Sequence, residues 1–126
     1  MAKNAGVGEL MEVILYVEDM DAQVSFYRDK LGLKVKSPPD SDDYSELFWV
    51  ELDCGPCTLA LHAGGKRRFG DDAPKIVFNV GDILAVRQSL IDQDIPMDEI
   101  RSAAPGIWVC DGVDPEGNKF SIESHD

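Results

Sequence analysis

The apolar positions of the chain follow two different periods, and their order along the sequence predicts the secondary structure. A short run rich in β-branched residues, Met11 to Val17, is typical of a strand that is covered on both faces. Asp19 follows as a candidate N-cap, and apolar residues then recur at helical spacing from Met20 to Leu31. Gly32 ends this pattern, as a C-terminal glycine often ends a helix. The N-terminal part of the chain therefore predicts a strand followed by a helix.

Shorter apolar segments after this helix predict three more strands. Leu33 to Lys36 is expected to be a short strand, whereas the segment 37–44 (SPPDSDDY) has too much proline and aspartate to pack into a core and predicts an exposed loop. Leu47 to Leu52 and Thr58 to His62 alternate between apolar and polar residues, as half-buried strands do. We expect residues 53–57 to join them.

The segment between these strands contains Cys54-Gly55-Pro56-Cys57, which permits a redox interpretation and a structural one. A thioredoxin-type site needs a helix after the motif, because the helix N-terminus stabilises the thiolate. Here the residues from Thr58 to His62 alternate with the period of a strand. We therefore predict a hairpin turn. A structural zinc site is also disfavoured, because Cys110, His62 and His125 complete no familiar ligand spacing.

The second half of the chain repeats the order of the first. Its predicted elements are a strand at Lys75 to Val80, a helix capped by Asp82 and stopped by Pro96, and strands at Ile107 to Val113 and Lys119 to Ser124 joined by the turn DPEGN. Alignment of VEDMDAQVSFY with VGDILAVRQSL places Asp19 over Asp82 at a constant offset. The duplication predicts an α+β fold of two tandem βαβββ units, 8–63 and 74–125, with a linker at 64–73. Their curved mixed sheet is expected to surround a cavity.

Composition narrows the classes of partner. The 126 residues include 12 basic and 24 acidic side chains, and the net charge of −12 repels nucleic acid and anionic membranes and favours cationic or neutral ligands. No apolar run reaches the roughly 20 residues of a membrane span, and the N-terminus lacks the apolar core of a signal peptide. We expect a cytoplasmic protein. Three cysteines are too few, and odd in number, for a disulfide framework.

Three short motifs resemble those of the vicinal oxygen chelate superfamily, which includes glyoxalases, extradiol dioxygenases, fosfomycin-modifying enzymes and bleomycin-binding resistance proteins. They are Phe26-Tyr27, Leu31-Gly32 and Asp114-Pro115-x-Gly117-Asn118. The resemblance covers residues 11–124 and implies a glyoxalase-like fold. The matching residues are scaffold, so they imply no particular reaction.

The resemblance also implies four metal-ligand positions, and this sequence fills them poorly. Enzymes of the superfamily hold a divalent ion through His, Gln and Glu side chains on the first and fourth strands of each unit. The equivalent residues here are Glu12, Ala60, Lys75 and Ser121. Ala60 has no donor atom, Lys75 would repel a cation and Ser121 is a poor ligand. We therefore predict no metal and no other cofactor.

The same alignment predicts which side chains face the cavity. Trp108 and Cys110 are expected on this face, and Glu12 and Lys75 are expected to pair across it. Aromatic rings mixed with a few polar groups suit a small organic ligand. The predicted ligand-binding residues are Glu12, Tyr16, Trp49, Glu51, His62, Lys75, Asn79, Trp108, Ser121 and Glu123.

Three functional hypotheses follow. The first is a metal-free binding protein that sequesters a small aromatic or cationic molecule, as a homodimer. The second is a metal-dependent lyase, isomerase or dioxygenase with a displaced site around His62, Glu51, Glu12 and Glu123, a histidine and carboxylate set that suits iron, zinc or manganese. The third is a scaffold whose cavity is filled by side chains. We favour the first, because the implied metal positions lack donors.

Overall fold

The computed structural model describes residue 6 and residues 10–39, 41–64 and 74–126. Each half contains a strand, a helix and three further strands. In the first half these are β1 (Glu12–Val17), α1 (Met20–Val24), a π-helical segment (Ser25–Lys30), β2 (Lys34–Ser37), β3 (Trp49–Cys54) and β4 (Cys57–Ala63). In the second half they are β5 (Ile76–Asn79), α2 (Ile83–Asp92), β6 (Arg101–Ala104), β7 (Ile107–Val113) and β8 (Lys119–His125).

The strands form two four-stranded mixed sheets with the same topology. The order is β1-β4-β3-β2 in the first sheet and β5-β8-β7-β6 in the second. The first strand of each half runs parallel to the last, and the other neighbours are antiparallel. Parallel strands cannot be joined by a tight turn. In each half the helix after the first strand is part of the longer connection that lets the first and last strands run parallel. The α+β class and the tandem βαβββ arrangement are confirmed.

Both helices begin at the aspartates that the sequence indicated. Asp19 Oδ1 accepts a hydrogen bond from Ala22 N at 3.0 Å, and Asp82 Oδ1 accepts one from Ala85 N at 3.1 Å. The first helix ends near Gly32, whose φ is +84°, as expected. Its C-terminal half widens, with the Leu31 N–H donating to the Phe26 carbonyl five residues earlier at 3.1 Å. The helical spacing in the sequence did not reveal this widening.

The two halves share one apolar core. Phe26 on the π-helical segment contacts Phe120 on β8 edge to face, with ring centroids 5.8 Å apart. Phe120 in turn meets Phe78 on β5 at 6.4 Å. The buried cluster includes Val17, Leu52 and Leu61 of the first half and Leu90, Phe120 and Ile122 of the second. Hydrophobic burial therefore holds the halves together as well as each half by itself.

Asp114, in the turn between β7 and β8, forms the main polar contact between the halves. It is 3 % exposed. Its Oδ2 accepts hydrogen bonds from Gln23 Nε2 at 2.8 Å, from Tyr27 Oη at 2.7 Å and from Asn118 Nδ2 at 2.8 Å. Its Oδ1 accepts bonds from the backbone N–H groups of Glu116 and Asn118, both at 2.9 Å. The carboxylate is thus surrounded by donors, which offsets the cost of burying its charge.

The neighbouring Glu116 extends this contact to the start of α1. Its carboxylate accepts hydrogen bonds from the backbone N–H groups of Glu18 and Asp19 at 2.9 to 3.0 Å. Burial, with the charge and hydrogen bond of Asp114 beside it, raises the pKa of Tyr27 well above its ordinary value. Tyr27 therefore stays a hydrogen-bond donor at neutral pH. The turn motif DPEGN positions the first helix against the second half of the chain.

Two features of the loops differ from expectation, and one prediction lies outside the described residues. Tyr44, in the segment predicted as an exposed loop, is 1 % exposed, and its hydroxyl accepts a hydrogen bond from Ser41 N at 2.7 Å. Strand β6 consists of four exposed residues and therefore carries no apolar pattern. Of the linker predicted at 64–73, only residue 64 is described. No described helix combines the length and apolar character needed to cross a membrane.

Replacing Asp114 tests the contact between the halves. In Asp114→Asn an amide NH2 would face at least two hydrogen-bond donors, so we expect the free energy of unfolding to fall by about 2–4 kcal/mol. Asp92→Asn is the matched control, because Asp92 accepts its hydrogen bond from Gln88 on the exposed surface of α2. It should change stability by less than about 0.5 kcal/mol. Urea denaturation measures both, and equal effects of the two variants would contradict the role given to Asp114.

Candidate functional site

An aromatic cluster lies on the face of the first sheet opposite its core. Strand pairing places Tyr16 on β1 and Trp49 on β3 directly beside His62 on β4, so all three side chains share a face. The rings of Tyr16 and His62 are 5.0 Å apart, and those of Trp49 and His62 are 5.9 Å apart and nearly perpendicular. The structure therefore brings together three of the residues that the sequence predicted for ligand binding.

Acidic groups border this aromatic cluster. Glu51 Oε2 accepts a hydrogen bond from Trp49 Nε1 at 2.9 Å, which fixes the indole ring against the sheet. Glu12 lies on the same face, because it pairs with Thr58, and Thr58 and His62 are four positions apart on β4. His62 Nδ1 lies 2.7 Å from the Ala63 carbonyl oxygen. Since a carbonyl can only accept, Nδ1 carries a proton in this contact.

The equivalent face of the second sheet carries a charged cluster centred on Asp111. Asp111 accepts a hydrogen bond from Ser121 Oγ, and it forms ion pairs with Lys75 Nζ and Arg101 Nη2, both at 3.2 Å. The expected pair between Glu12 and Lys75 is therefore wrong, because Lys75 pairs with Asp111. Partial burial opposes ionisation of Asp111, but the hydrogen bonds from Ser121, Lys75 and Arg101 outweigh it and lower the pKa of this carboxyl below its ordinary value.

The register of β7 differs by one residue from the predicted one. Val109 pairs with Glu123 and Asp111 pairs with Ser121, so Val109 and Asp111 face the same side as these residues. Trp108 and Cys110, which the sequence placed on this side, lie on the opposite face. Cys110 is buried in the core, and Trp108 Nε1 donates to Asp126 Oδ2 at 3.4 Å. The expected orientation of both side chains is therefore wrong.

Glu123 and Asn79 lie side by side on the second sheet. They are register partners on β8 and β5. Glu123 Oε2 is 2.7 Å from His125 Nε2, two residues along the same strand. Among the polar residues predicted for the site, Lys75, Asn79, Ser121 and Glu123 therefore share one face of the second sheet, while Glu12 and Glu51 lie on the first.

A groove with a volume of about 720 Å³ lies between the two sheets, where β1 approaches β5. These strands are the outer members of their sheets. The walls of the groove are predominantly apolar. They include Val13, Ile14 and Leu59 from the first half and Ile76, Val77 and Phe78 from the second. Lys75 and Asn79, both predicted for the site, also line it. A volume of this size and an apolar lining are typical of sites for small organic molecules.

The four positions at which the superfamily holds a metal do not suit one here. Ala60 presents only a methyl group, the Lys75 ammonium is engaged with Asp111, and Ser121 donates its hydroxyl hydrogen to the same carboxylate. A cation would have to displace an ammonium group and would gain a single carboxylate, from Glu12. The donor set therefore does not fit a divalent ion.

The displaced metal site considered from the sequence is not assembled either. His62 and Glu51 lie on the first sheet, whereas Glu123 lies on the second beside His125. Across residues 10–39, 41–64 and 74–126, no three His, Cys, Asp or Glu side chains are grouped so that they could hold an ion. The described residues therefore contain no second cluster of metal ligands that could replace the four positions implied by the resemblance.

Three polar residues of these faces were not predicted. Asp111 was missed because the predicted register of β7 was wrong by one residue. The correct register places Asp111 on the same face as Ser121. Arg101 lies on β6, whose exposed sequence carries no pattern. Lys36 on β2 donates from Nζ to Thr58 Oγ1 at 2.9 Å, beside Glu12. The sequence does not reveal which face of the sheet a long, flexible lysine side chain covers.

Comparisons with known proteins agree with this architecture. Residues 9–45 match the family described as bleomycin resistance protein-like N-terminal. No curated protein sequence matches the chain. Among solved structures, a glyoxalase family protein from Bacillus anthracis aligns with a TM-score of 0.76 at 17% identity, covering 98% of this chain and 100% of its own.

Two further structures are informative because of their described functions. An antibiotic-binding protein from Streptomyces sp. CB03234 aligns with a TM-score of 0.74 at 15% identity, covering 98% of this chain and 100% of its own. Lactoylglutathione lyase from Agrobacterium tumefaciens aligns with a TM-score of 0.70 at 23% identity, covering 94% of each chain. These likenesses show the glyoxalase-like fold that the sequence motifs implied. Binders and enzymes share this fold, so the fold alone does not choose between them.

The charged cluster predicts a specific pH dependence. Because the pKa of Asp111 is lowered in the folded state, its ionised form stabilises the fold above about pH 4, and this contribution is lost as the pH falls through the folded value. Asp111→Asn should lower the free energy of unfolding by about 1 kcal/mol at pH 7. The difference from the parent protein should shrink as the pH is lowered below 4.

Glu99→Gln is the control for this measurement. Glu99 pairs with Arg87 at 3.7 Å, but its side chain is 94% exposed. Urea denaturation at several pH values should show little effect of this change at any pH. A difference between Asp111→Asn and the parent that grows on acidification would contradict the stabilising role of the Asp111 charge.

Proposed function

We propose that this chain, which has the glyoxalase-like fold of the vicinal oxygen chelate superfamily, is a metal-free protein that sequesters a small organic molecule. The ligand class is an aromatic or otherwise planar molecule that carries positive charge. The observation that carries the proposal is the apolar groove of about 720 Å³ between β1 and β5. Its volume falls within the range of small-molecule sites.

The aromatic cluster lies on a face of β1 that also contributes one residue to the groove. Ile14 lines the groove, and Tyr16 points to the same side two residues later, about 7 Å further along the strand. Tyr16 is in turn stacked beside His62. On the other wall, Val77 is 48% exposed. Apolar and aromatic surface is thus arranged in one strip, which suits a planar apolar ligand body.

Carboxylates beside the aromatic cluster favour a cationic group at that end of the strip, whereas the charged residues that line the groove itself are Lys75 and Lys119. Glu12 and Glu51 lie on the same face as the aromatic cluster. Lys75 and Arg101 neutralise Asp111 rather than these two carboxylates. The net charge of −12 would attract cationic molecules from a distance and accelerate their capture, an effect that salt weakens. A cation held near Trp49 would also gain a favourable interaction with the face of the indole.

The relatives support binding more than they support a reaction. The N-terminal segment is similar to bleomycin resistance proteins, and one structural neighbour is an antibiotic-binding protein. The metal-dependent alternative requires Glu123 to join His62 and Glu51, which lie on the other sheet. Ala60 and Lys75 also stand at positions where an enzyme of this superfamily would need ligands.

The proposal includes a homodimer that acts in the cytoplasm. Leu10, Met11 and Phe48 are large apolar side chains that remain strongly exposed in a single chain, and they are available for contact with a second copy. Sedimentation of the purified protein measures this directly. A monomer at concentrations near 0.1 mM would contradict the dimer and leave the binding proposal intact.

Tryptophan fluorescence provides a sharp test of binding, because the two tryptophans lie on opposite faces of their sheets. Trp49 belongs to the aromatic cluster, whereas Trp108 does not. We expect a planar cationic compound to change the emission of the parent protein and of Trp108→Phe. In Trp49→Phe we expect the signal to be lost and calorimetric affinity to fall about tenfold.

Two results would contradict the proposal. One is the absence of any response to a panel of planar cationic compounds, with calorimetry also showing no heat of binding. The other is a response that disappears in Trp108→Phe and persists in Trp49→Phe, since this would place the ligand on the wrong face. Raising the salt concentration should reduce the association rate, as electrostatic attraction requires.

A further inference from the structure

The two cysteines of the Cys-Gly-Pro-Cys motif face each other across the tip of a hairpin. Cys54 ends β3, Cys57 begins β4, and the two are register partners. Gly55 has a φ of +82°, the left-handed conformation that a type II′ turn needs at its first central position. Asp53 Oδ1 accepts a hydrogen bond from Gly55 N at 2.9 Å and supports the turn. The motif is therefore a rigid two-residue turn between opposed thiols.

This geometry is compatible with a disulfide. Directly opposed residues on antiparallel strands have Cα atoms about 4.5 to 5.5 Å apart. Disulfides join residues whose Cα atoms are about 4.4 to 6.8 Å apart. Both cysteines are free and only partly buried, and both line the wall of the groove between β1 and β5. The two cysteines are thus register partners, and both line a cavity.

We propose that Cys54 and Cys57 form a redox-active dithiol, which small-molecule disulfides convert reversibly to an intramolecular disulfide at the end of the groove. This modification site is independent of the ligand-binding proposal. It differs from a thioredoxin-type centre, because a strand and not a helix follows the motif. The outcome is oxidation of this protein itself rather than of a protein substrate.

The chemistry proceeds by two thiol–disulfide exchanges. In the first, one cysteine thiolate attacks a sulfur of the small disulfide, which forms a mixed disulfide and releases one small thiol. In the second, the other cysteine thiolate attacks the protein sulfur of the mixed disulfide and releases the second small thiol. The protein loses two hydrogens, and the small disulfide is reduced to two thiols. A dithiol reductant reverses both steps.

The third cysteine does not enter this scheme. Burial is the main cause that raises the pKa of Cys54. The proposal does not depend on which of Cys54 and Cys57 attacks first, because either thiolate leads to the same intramolecular disulfide. Cys110 takes no part, because it is buried in the core and its Sγ donates to the Asp98 carbonyl at 3.1 Å. One of the three cysteines should thus stay reduced.

Cystamine is a suitable probe, because it is a small disulfide whose positive charge suits an acidic protein. After incubation of the native protein, we expect two of the three thiols to be lost, with a mass decrease of two hydrogens. Peptide mapping without reduction should show Cys54 linked to Cys57, and dithiothreitol should restore all three thiols. In Cys54→Ser the cysteamine adduct on Cys57 should persist, because no second thiol displaces it.

Cys57→Ser is the companion variant, and its cysteamine adduct on Cys54 should persist for the same reason. Far-ultraviolet circular dichroism should show that the oxidised parent protein keeps its fold. Three results would overturn the proposal: full retention of the thiols, stable cysteamine adducts on both cysteines of the parent protein, or disulfide formation only in urea. A link between Cys110 and either partner would also contradict it.

Discussion

The buried carboxylate of Asp114 is the interaction on which the arrangement of the two halves depends. It lies in a hairpin turn of the second half, yet two of its five hydrogen bonds come from Gln23 and Tyr27 on the helix of the first half. A buried charge is tolerated only when donors surround it, so the helix and the turn must stay together. Each half could form its own sheet, but this contact determines how the sheets meet.

The groove is a consequence of that arrangement. The halves are joined through a shared core and through the Asp114 contact, while β1 and β5 remain the outer strands of separate sheets. Their apolar side chains face a space instead of a neighbouring strand. Of the four metal-ligand positions that the resemblance implies, only Lys75 lines this groove, and its positive charge is neutralised by Asp111. Ala60, at another of these positions, has no donor atom. What is left is suited to apolar and aromatic contact, with carboxylates nearby.

Much of the fold followed from the sequence, because strands and helices have different periods. The N-caps Asp19 and Asp82, the hairpin at Gly55 and the repeated order of elements were all readable as local signals. The register of β7 was not, because apolar residues occur at both odd and even positions in Ile107-Trp108-Val109-Cys110, and either set could face the core. Strand β6 and the buried Tyr44 were missed for a related reason. Their environment is determined by distant parts of the chain.

The candidate site was predicted in part. Tyr16, Trp49 and His62 were grouped correctly, because strand alternation in the first half was clear. The partners of Lys75 were not, because an ion pair between strands depends on register to within one residue. The net charge of the chain indicated the sign of the charge that a ligand would carry, but not where the ligand would bind. The groove itself has no sequence signature, since it lies between two strands that are far apart in the chain.

The central claim is that the space between the sheets holds an organic molecule and not a metal ion. A crystal structure of the protein with the best planar cationic compound from the fluorescence titration tests this claim most directly. We predict ligand density between β1 and β5, against Ile14 and Val77, with its charged part near Trp49 and Glu51. Ligand density elsewhere, or a first-row metal ion held in that space by several side chains, would contradict the account.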